Sequence, residues 1–171
     1  MRPGTAPLIT IRPTRAEDRD PIGDMLSRSG AFRREEIDVA LELIDAFLQD
    51  SSQNDYDVYT ALGEEGNVAG YACFGPVPLT RGTFDLYWIA VDPSAHRGGT
   101  GTRLLRHVEE IVKAKGGRLL VAETSSQPPY EKARSFYRKH EFREVARIED
   151  YYTPGDDMVI FGKYFSQSGA H

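Results

Sequence analysis

Between Val91 and Leu104 the chain reads Asp92-Pro93-Ser94-Ala95-His96-Arg97-Gly98-Gly99-Thr100-Gly101-Thr102-Arg103. This glycine-rich stretch follows an apolar strand pattern, Phe84 to Val91, and runs into an amphipathic helix pattern, Thr102 to Lys115. Strand, glycine turn and helix together can hold a phosphate. A helix N-terminus leaves backbone N–H groups outside its own ladder, and its dipole favours negative charge there. Glycine lets the backbone approach an anion closely. Arg97, Arg103 and Arg106 add positive charge near the turn. The chemistry expected is the binding of a phosphate-bearing ligand.

Two common phosphate motifs do not fit. A nucleotide P-loop needs Gly-x-x-x-x-Gly-Lys-Ser/Thr, and no lysine stands at that place. A dinucleotide fingerprint belongs to the first strand of a repeated strand–helix–strand array. Here the sole such unit lies in mid-chain.

The elements that must position this turn follow from periodicity and punctuation. Leu8 to Arg12 alternates as a first strand. Thr14 with Glu17 reads as a capping box for a helix that begins near Pro21 and ends at Ser29-Gly30. A second helix is expected over Arg33 to Gln49, with Ile37, Ala40, Leu41, Ile44, Phe47 and Leu48 on one face. Strands at Tyr56–Leu62 and Val68–Gly75 flank a hairpin turn, and the strand to Val91 and the helix from Thr102 come next. Then follow a strand, Arg118–Glu123, a short helix, Glu131–Lys139, and two last strands, Arg143–Tyr151 and Asp157–Phe165. The order β-α-α-β-β-β-α-β-α-β-β predicts a single α/β domain over residues 8–165. Its centre is a mixed, mostly antiparallel seven-stranded sheet flanked by about four helices. Residues 1–7 and 166–171 read as flexible tails.

Bulk properties narrow the partners. At 171 residues the chain is long enough for one well-buried core. Its net charge of −5 argues against nucleic acid. No apolar run is long enough to span a membrane, and the N-terminus lacks the apolar core of a secretory signal. The single cysteine, Cys73, lies in an apolar strand pattern and reads as a buried small hydrophobe. A cytoplasmic protein is expected. No His/Cys/Asp set has metal-ligand spacing, so no metal is expected. His107 reads as solvated on the polar face of its helix, and His140 as a helix cap.

Two segments carry a resemblance. Val91-Asp92-Pro93, then His96-Arg97-Gly98-Gly99-Thr100-Gly101 and Leu104-Leu105, resemble the acyl-CoA-binding motif Gln/Arg-x-x-Gly-x-Gly/Ala of the GNAT superfamily of N-acyltransferases. Gly99 and Gly101 fall on its small positions, and His96 stands where Gln or Arg is usual. Ala133-Arg134-Ser135-Phe136-Tyr137, followed by Glu141-Phe142, resembles the family's Ala-x-x-Phe-Tyr-x-x-x-Gly-Phe segment, with Glu141 replacing the glycine. Because of that replacement, the turn at Glu141 is expected to be built differently. Tyr130 occupies the place of a frequent asparagine.

The resemblance implies an acetyl-CoA-dependent N-acetyltransferase acting by direct attack of a primary amine in a ternary complex. Such a reaction needs a held thioester, a neutral amine, a donor at the developing oxyanion and an acid for the departing thiolate. The implied cofactor-binding residues are Ile89, Ala90, Val91, His96, Arg97, Gly98, Gly99, Thr100, Gly101, Thr102, Ser135 and Tyr137. The backbone of Ile89 and Val91 would carry the pantetheine arm. Tyr137 matches the family's general acid. Glu123 and Asp85 are the two carboxylates offered as the base, each at a strand end. Phe32, Tyr151, Tyr152, Asp156 and Asp157 are candidates for an acceptor pocket, and acidic plus aromatic groups suit a cationic amine. The implied partner is a small-molecule or peptide amine, and a homodimer is allowed. The competing reading is a non-catalytic acyl-CoA-binding or sensing domain.

Overall fold

The computed structural model describes residues 8–50 and 52–166. The expected tails at 1–7 and 167–171 lie outside the described residues, while Ser166 is described and has no regular structure. The elements are β1 (Thr10–Pro13), α1 (Arg19–Ser29), α2 (Arg34–Gln49), β2 (Asp57–Leu62), β3 (Val68–Pro76), β4 (Thr83–Val91), α3 (Thr100–Ala114), β5 (Leu119–Ser125), α4 (Glu131–Lys139), β6 (Arg143–Thr153) and β7 (Asp156–Tyr164). Seven strands follow the order β1-β2-β3-β4-β5-β7-β6. The mixed sheet and four α-helices expected from the sequence are present. Among the described residues, no helix is long and apolar enough to cross a membrane.

The chain divides into two compact units: the chain up to Cys73 with Trp88–Val108, and Phe74–Tyr87 with the chain from Glu109 onward. In the first unit, β1 and β2 pair antiparallel from Thr10↔Leu62 to Pro13↔Tyr59. Helices α1 and α2 cover a core of Ile22, Met25, Leu26, Ala40, Ile44, Val58, Tyr71 and Cys73. On α2 only Ala40 and Ile44 are fully buried. The rest of the predicted apolar face, Ile37, Leu41, Phe47 and Leu48, packs half-buried around them. Burial also explains Cys73, whose thiol is pushed up to about 12 by desolvation and then by the charge of Asp57.

Helix α1 starts differently from expectation. Thr14 turns inward, and its hydroxyl shares a 2.8 Å hydrogen bond with Thr60. The chain therefore enters the helical turn one residue later. The Arg15 N–H donates to Asp18 Oδ2 at 2.8 Å, and Asp18 takes the place predicted for Glu17. Arg12 clamps the same carboxylate through two guanidinium nitrogens at 2.6 and 2.9 Å. Pro21 lies in the first turn, where a missing N–H is harmless. Gly30 ends the helix in the left-handed region at φ 64°.

In the second unit, β4 and β5 are parallel for three pairs only: Thr83↔Leu119, Phe84↔Leu120 and Asp85↔Val121. Both strands continue beyond that last pair. Strand β5 pairs with β7 along its whole length, from Leu119↔Tyr164 to Ser125↔Met158. Strand β6 pairs with β7 through two register shifts. Side chains alternate along a strand, so Leu120, Ala122 and Thr124 point to the buried face of β5, and Leu119, Val121 and Glu123 to the other.

Candidate active site

The glycine turn belongs to the first unit. Strand β4 ends at Val91, and the N–H of the next residue, Asp92, donates to Ala69 O at 2.9 Å. The Asp92 carboxylate then caps a 3-10 turn, Pro93–Gly98. It accepts the Ser94 N–H at 2.8 Å and the Ser94 hydroxyl at 2.5 Å. Arg28 of α1 donates to its other oxygen at 2.6 Å. Burial alone would raise the Asp92 pKa; the Ser94 and Arg28 hydrogen bonds outweigh it and hold the carboxyl below its usual range.

Gly99 links this turn to α3 at φ 73°, ψ 16°, a left-handed conformation that favours glycine. Helix α3 therefore begins at Thr100, two residues earlier than the sequence pattern suggested. The Arg103 N–H donates to Gly99 O at 3.0 Å. The N–H groups of Thr100 and Gly101 precede that first rung and lie outside the helix's own ladder. Thr100 is fully buried, and among the described residues its hydroxyl has no hydrogen-bond partner. These features suit an anion seated at the helix start. The side chains of His96 and Arg97 lie outside the described set.

Gly70 sets the depth of this arrangement. A Cβ there would lie 2.8 Å from Ala90 O and 2.9 Å from Leu104 Cδ1. Only a residue without a side chain lets β3, β4 and α3 approach so closely. Ile89, Ala90 and Val91, the proposed rail, are half-buried. Phe32 also belongs to this unit; its ring packs edge-on against Trp88 at 5.3 Å. His107 is half-buried rather than solvated: its ring meets Tyr59 at 4.8 Å, and its buried Nε2 has no partner.

The second unit holds the titratable candidates. Tyr137 on α4 is 7% exposed. Its ring packs against Phe142 at 5.4 Å and Phe161 at 5.6 Å. Burial pushes the phenol well above its ordinary value, so it is protonated at neutral pH. Ser135 donates to Glu131 at 3.1 Å on the exposed side of the same helix.

Asp85 and Glu123 come together. Asp85 pairs with Val121, two residues before Glu123, so both carboxylates share one face where the β4–β5 ladder stops. Burial first, and the Glu123 charge second, raise the Asp85 pKa. Tyr152 donates to Glu123 Oε1 at 3.4 Å. Its own pKa is raised by burial and then by that carboxylate. Tyr151 lies against Tyr152 at 5.0 Å. Asp156 accepts the Ser125 hydroxyl at 2.5 Å. Asp157 is engaged otherwise, paired with Arg147 at 2.9 Å and accepting the Asp150 N–H at 3.1 Å.

Sequence reasoning missed Arg134. A charged helix residue ordinarily reads as solvated, yet Arg134 is 7% exposed. Its guanidinium donates to Ser125 O at 2.5 Å and Gln127 O at 3.0 Å, and pairs with Glu131. It pins the end of β5 to the helix that carries Tyr137. The turn after α4 is also a correction. Glu141 itself adopts φ 68°, the left-handed conformation that a glycine would take, so the turn is retained with a non-glycine residue. His140 does cap α4, with Nδ1 at 2.8 Å from Phe136 O.

With this geometry in place, comparison identifies the class. The acetyltransferase (GNAT) family matches residues 24–142. The chain belongs to that family and is an acyl-CoA-dependent acyltransferase. A GNAT-family structure from Desulfovibrio desulfuricans is 39% identical over 92% of this chain and 99% of its own, with a TM-score of 0.87. The ribosomal-protein-S18-alanine N-acetyltransferase of Escherichia coli shares the fold at 22% identity, covering 95% of this chain and 97% of its own, TM-score 0.74. So does a Salmonella typhimurium protein solved with its cofactor acetyl-CoA, at 21% identity, covering 95% and 96%, TM-score 0.70. No curated protein matches the chain.

Proposed function

We propose that the protein transfers an acetyl group from acetyl-CoA to a primary amine of a small molecule or peptide, by direct attack in a ternary complex. The observation that carries this reading is the three-pair β4–β5 ladder, with Asp85 and Glu123 on one face at its last pair. Two carboxylates side by side on one face suit the removal of a proton from an ammonium group.

In this reading the backbone from Arg97 to Thr102 holds the pyrophosphate, and Ile89 and Val91 carry the pantetheine arm. The Val91 N–H is the donor at the developing oxyanion. The relatives' acetyl-CoA and CoA complexes support the choice of co-substrate. Asp85, with its raised pKa, is the base, and Glu123 beside it keeps that pKa up. The amine nitrogen loses its proton to Asp85 and attacks the thioester carbonyl. The C–N bond forms, the C–S bond breaks, Tyr137 gives its proton to the thiolate, and the second proton shed by the nitrogen passes through water to restore the phenol. Tyr151, Tyr152 and Asp156 face a cationic acceptor; Asp157, held by Arg147, helps to shape the hairpin instead.

A thiol-release assay with acetyl-CoA and a panel of monoamines, diamines, amino acids and peptides tests this. Acceptor-dependent release of CoA thiol, fastest with cationic amines, is expected. CoA binding without release on any amine would make the protein a sensor. Preference for anionic acceptors would remove the Tyr152–Asp156 side from substrate binding.

A further inference from the structure

Asp92 is 8% exposed and carries an unusual load for one residue. Its N–H, carbonyl and both carboxylate oxygens are all engaged: with Ala69 O at 2.9 Å, the Ala95 N–H at 2.8 Å, Ser94 and Arg28. Together these contacts fix the direction in which the chain leaves β4 and begins the turn Pro93–Gly98. The arrangement works only while the Asp92 carboxylate is ionised and oriented, because one oxygen must serve both donors of Ser94. A carboxylate so far from water is costly unless a cation and hydrogen bonds compensate. The cation is Arg28, in the last turn of α1, where the helix dipole also favours positive charge.

We propose that Arg28 is a positioning residue for the coenzyme turn, acting through Asp92 rather than on the ligand. This rests on the proposed coenzyme role of that turn. The guanidinium fixes one Asp92 oxygen so that the other caps Ser94. The cap sets the turn, and the turn sets Gly99 and the first N–H groups of α3. Removing Arg28 leaves a nearly buried carboxylate without its cation. Its pKa rises, its hold on Ser94 loosens, and the N–H groups at the helix start move from the positions that an anion needs. Small displacements of positioning groups have large effects on bound geometry. Helix α1 thereby communicates with the coenzyme turn through one side-chain pair.

Titration calorimetry of the full chain with CoA tests this, using Arg28→Ala, Arg28→Lys, Asp92→Asn and the double variant Arg28→Ala/Asp92→Asn. Arg28→Ala is expected to weaken CoA binding about tenfold, with Arg28→Lys recovering most of the loss. The double variant should bind no more weakly than Asp92→Asn alone, because Arg28 has nothing left to act through. Equal binding by Arg28→Ala and the unmodified protein overturns the proposal. So does a further loss on adding Arg28→Ala to Asp92→Asn, which would mean that Arg28 touches CoA directly. Should Arg28→Ala fail to fold, Arg28→Gln carries the same expectation and the same refutation. Failure of the unmodified protein to bind CoA would refute the coenzyme reading itself, a result distinct from either.

Discussion

Glu123 and Tyr137 stand on opposite faces of β5. Glu123 is directed to the face of Val121, and its neighbour Ala122 to the other, where its register partner Phe161 carries the Tyr137 ring. The pairing is regular from Leu119 to Ser125, so the alternation is not broken by a bulge. An acyl transfer takes a proton at the amine and delivers one at the sulfur. In the proposed reaction Asp85, on the Glu123 face, takes the first and Tyr137, on the other, delivers the second, so the two transfers are kept apart.

Tyr137→Phe separates chemistry from packing. Phenylalanine retains the ring contacts to Phe142 and Phe161 and loses only the hydroxyl. Turnover is expected to fall by about 10²-fold or more, with CoA affinity within about twofold. Steady-state kinetics and calorimetry on the same preparation measure both. Unchanged turnover removes Tyr137 from the acid role.

Asp85→Asn is expected to lower turnover and raise stability at neutral pH. The folded-state pKa of Asp85 is raised, by burial and then by Glu123, so its ionised form destabilises the folded protein above that value. The cost vanishes as pH falls through the folded pKa toward the ordinary carboxylate value of about 3.9. Melting temperature at pH 7–8 should therefore rise by about 2 °C, with no gain near pH 4. A gain of the same size at both pH values would show that charge is not its cause.

Asp18 has the opposite sign. Burial raises its pKa, but the Arg12 and Arg15 hydrogen bonds win and the net shift is downward. Its stabilisation is fully present above the unfolded carboxylate value and is lost as pH falls through the lower folded value. Acid melting curves of Asp18→Asn should converge with those of the unmodified protein as pH falls through that lowered folded value and lie under them at neutrality.

Gly70→Ala places a methyl group against the Ala90 carbonyl oxygen and Leu104, where a backbone atom must give way. The expected loss is about 1–3 kcal/mol, read by urea denaturation, together with weaker CoA binding as α3 is pushed from β4. Normal stability would mean that the close approach is more yielding than the packing implies.

Glu141 offers a backbone test. A non-glycine residue at φ 68° costs roughly 1–2 kcal/mol. Glycine relieves that strain but adds freedom to the unfolded chain, and the 3.5 Å ion pair from the solvent-exposed Glu141 carboxylate to Lys163 contributes little. Glu141→Gly should lie within about 1 kcal/mol of the unmodified protein, whereas Glu141→Val should destabilise by about 1–2 kcal/mol. Denaturation midpoints of the two variants decide it.

Much of the fold was legible because its signals are local. The alternation of Leu8 to Arg12, the α2 stripe and the glycine stretch each declare themselves within a few residues. What escaped depends on distant partners. Thr14 looks like a helix cap until Thr60 is opposite its hydroxyl. Asp85 and Glu123 are separate candidates in sequence, and only the parallel register makes them neighbours. The α3 start was misplaced because Gly99 can be either a turn residue or the joint that begins the helix. Arg134 was passed over because its acceptors are main-chain carbonyls, which carry no sequence signature.

Arg134 also turns the segment between β5 and α4 into a measured length. Its guanidinium grips Ser125 O and Gln127 O while its own backbone sits in the first turn of α4. Adding or removing a residue between 127 and 134 would break that grip, leave a buried cation without its acceptors and rotate the phenol of Tyr137 about the helix axis. A loop that resembles a tether on the page is instead a gauge, and its length belongs to the proposed catalytic apparatus as much as the side chain it sets.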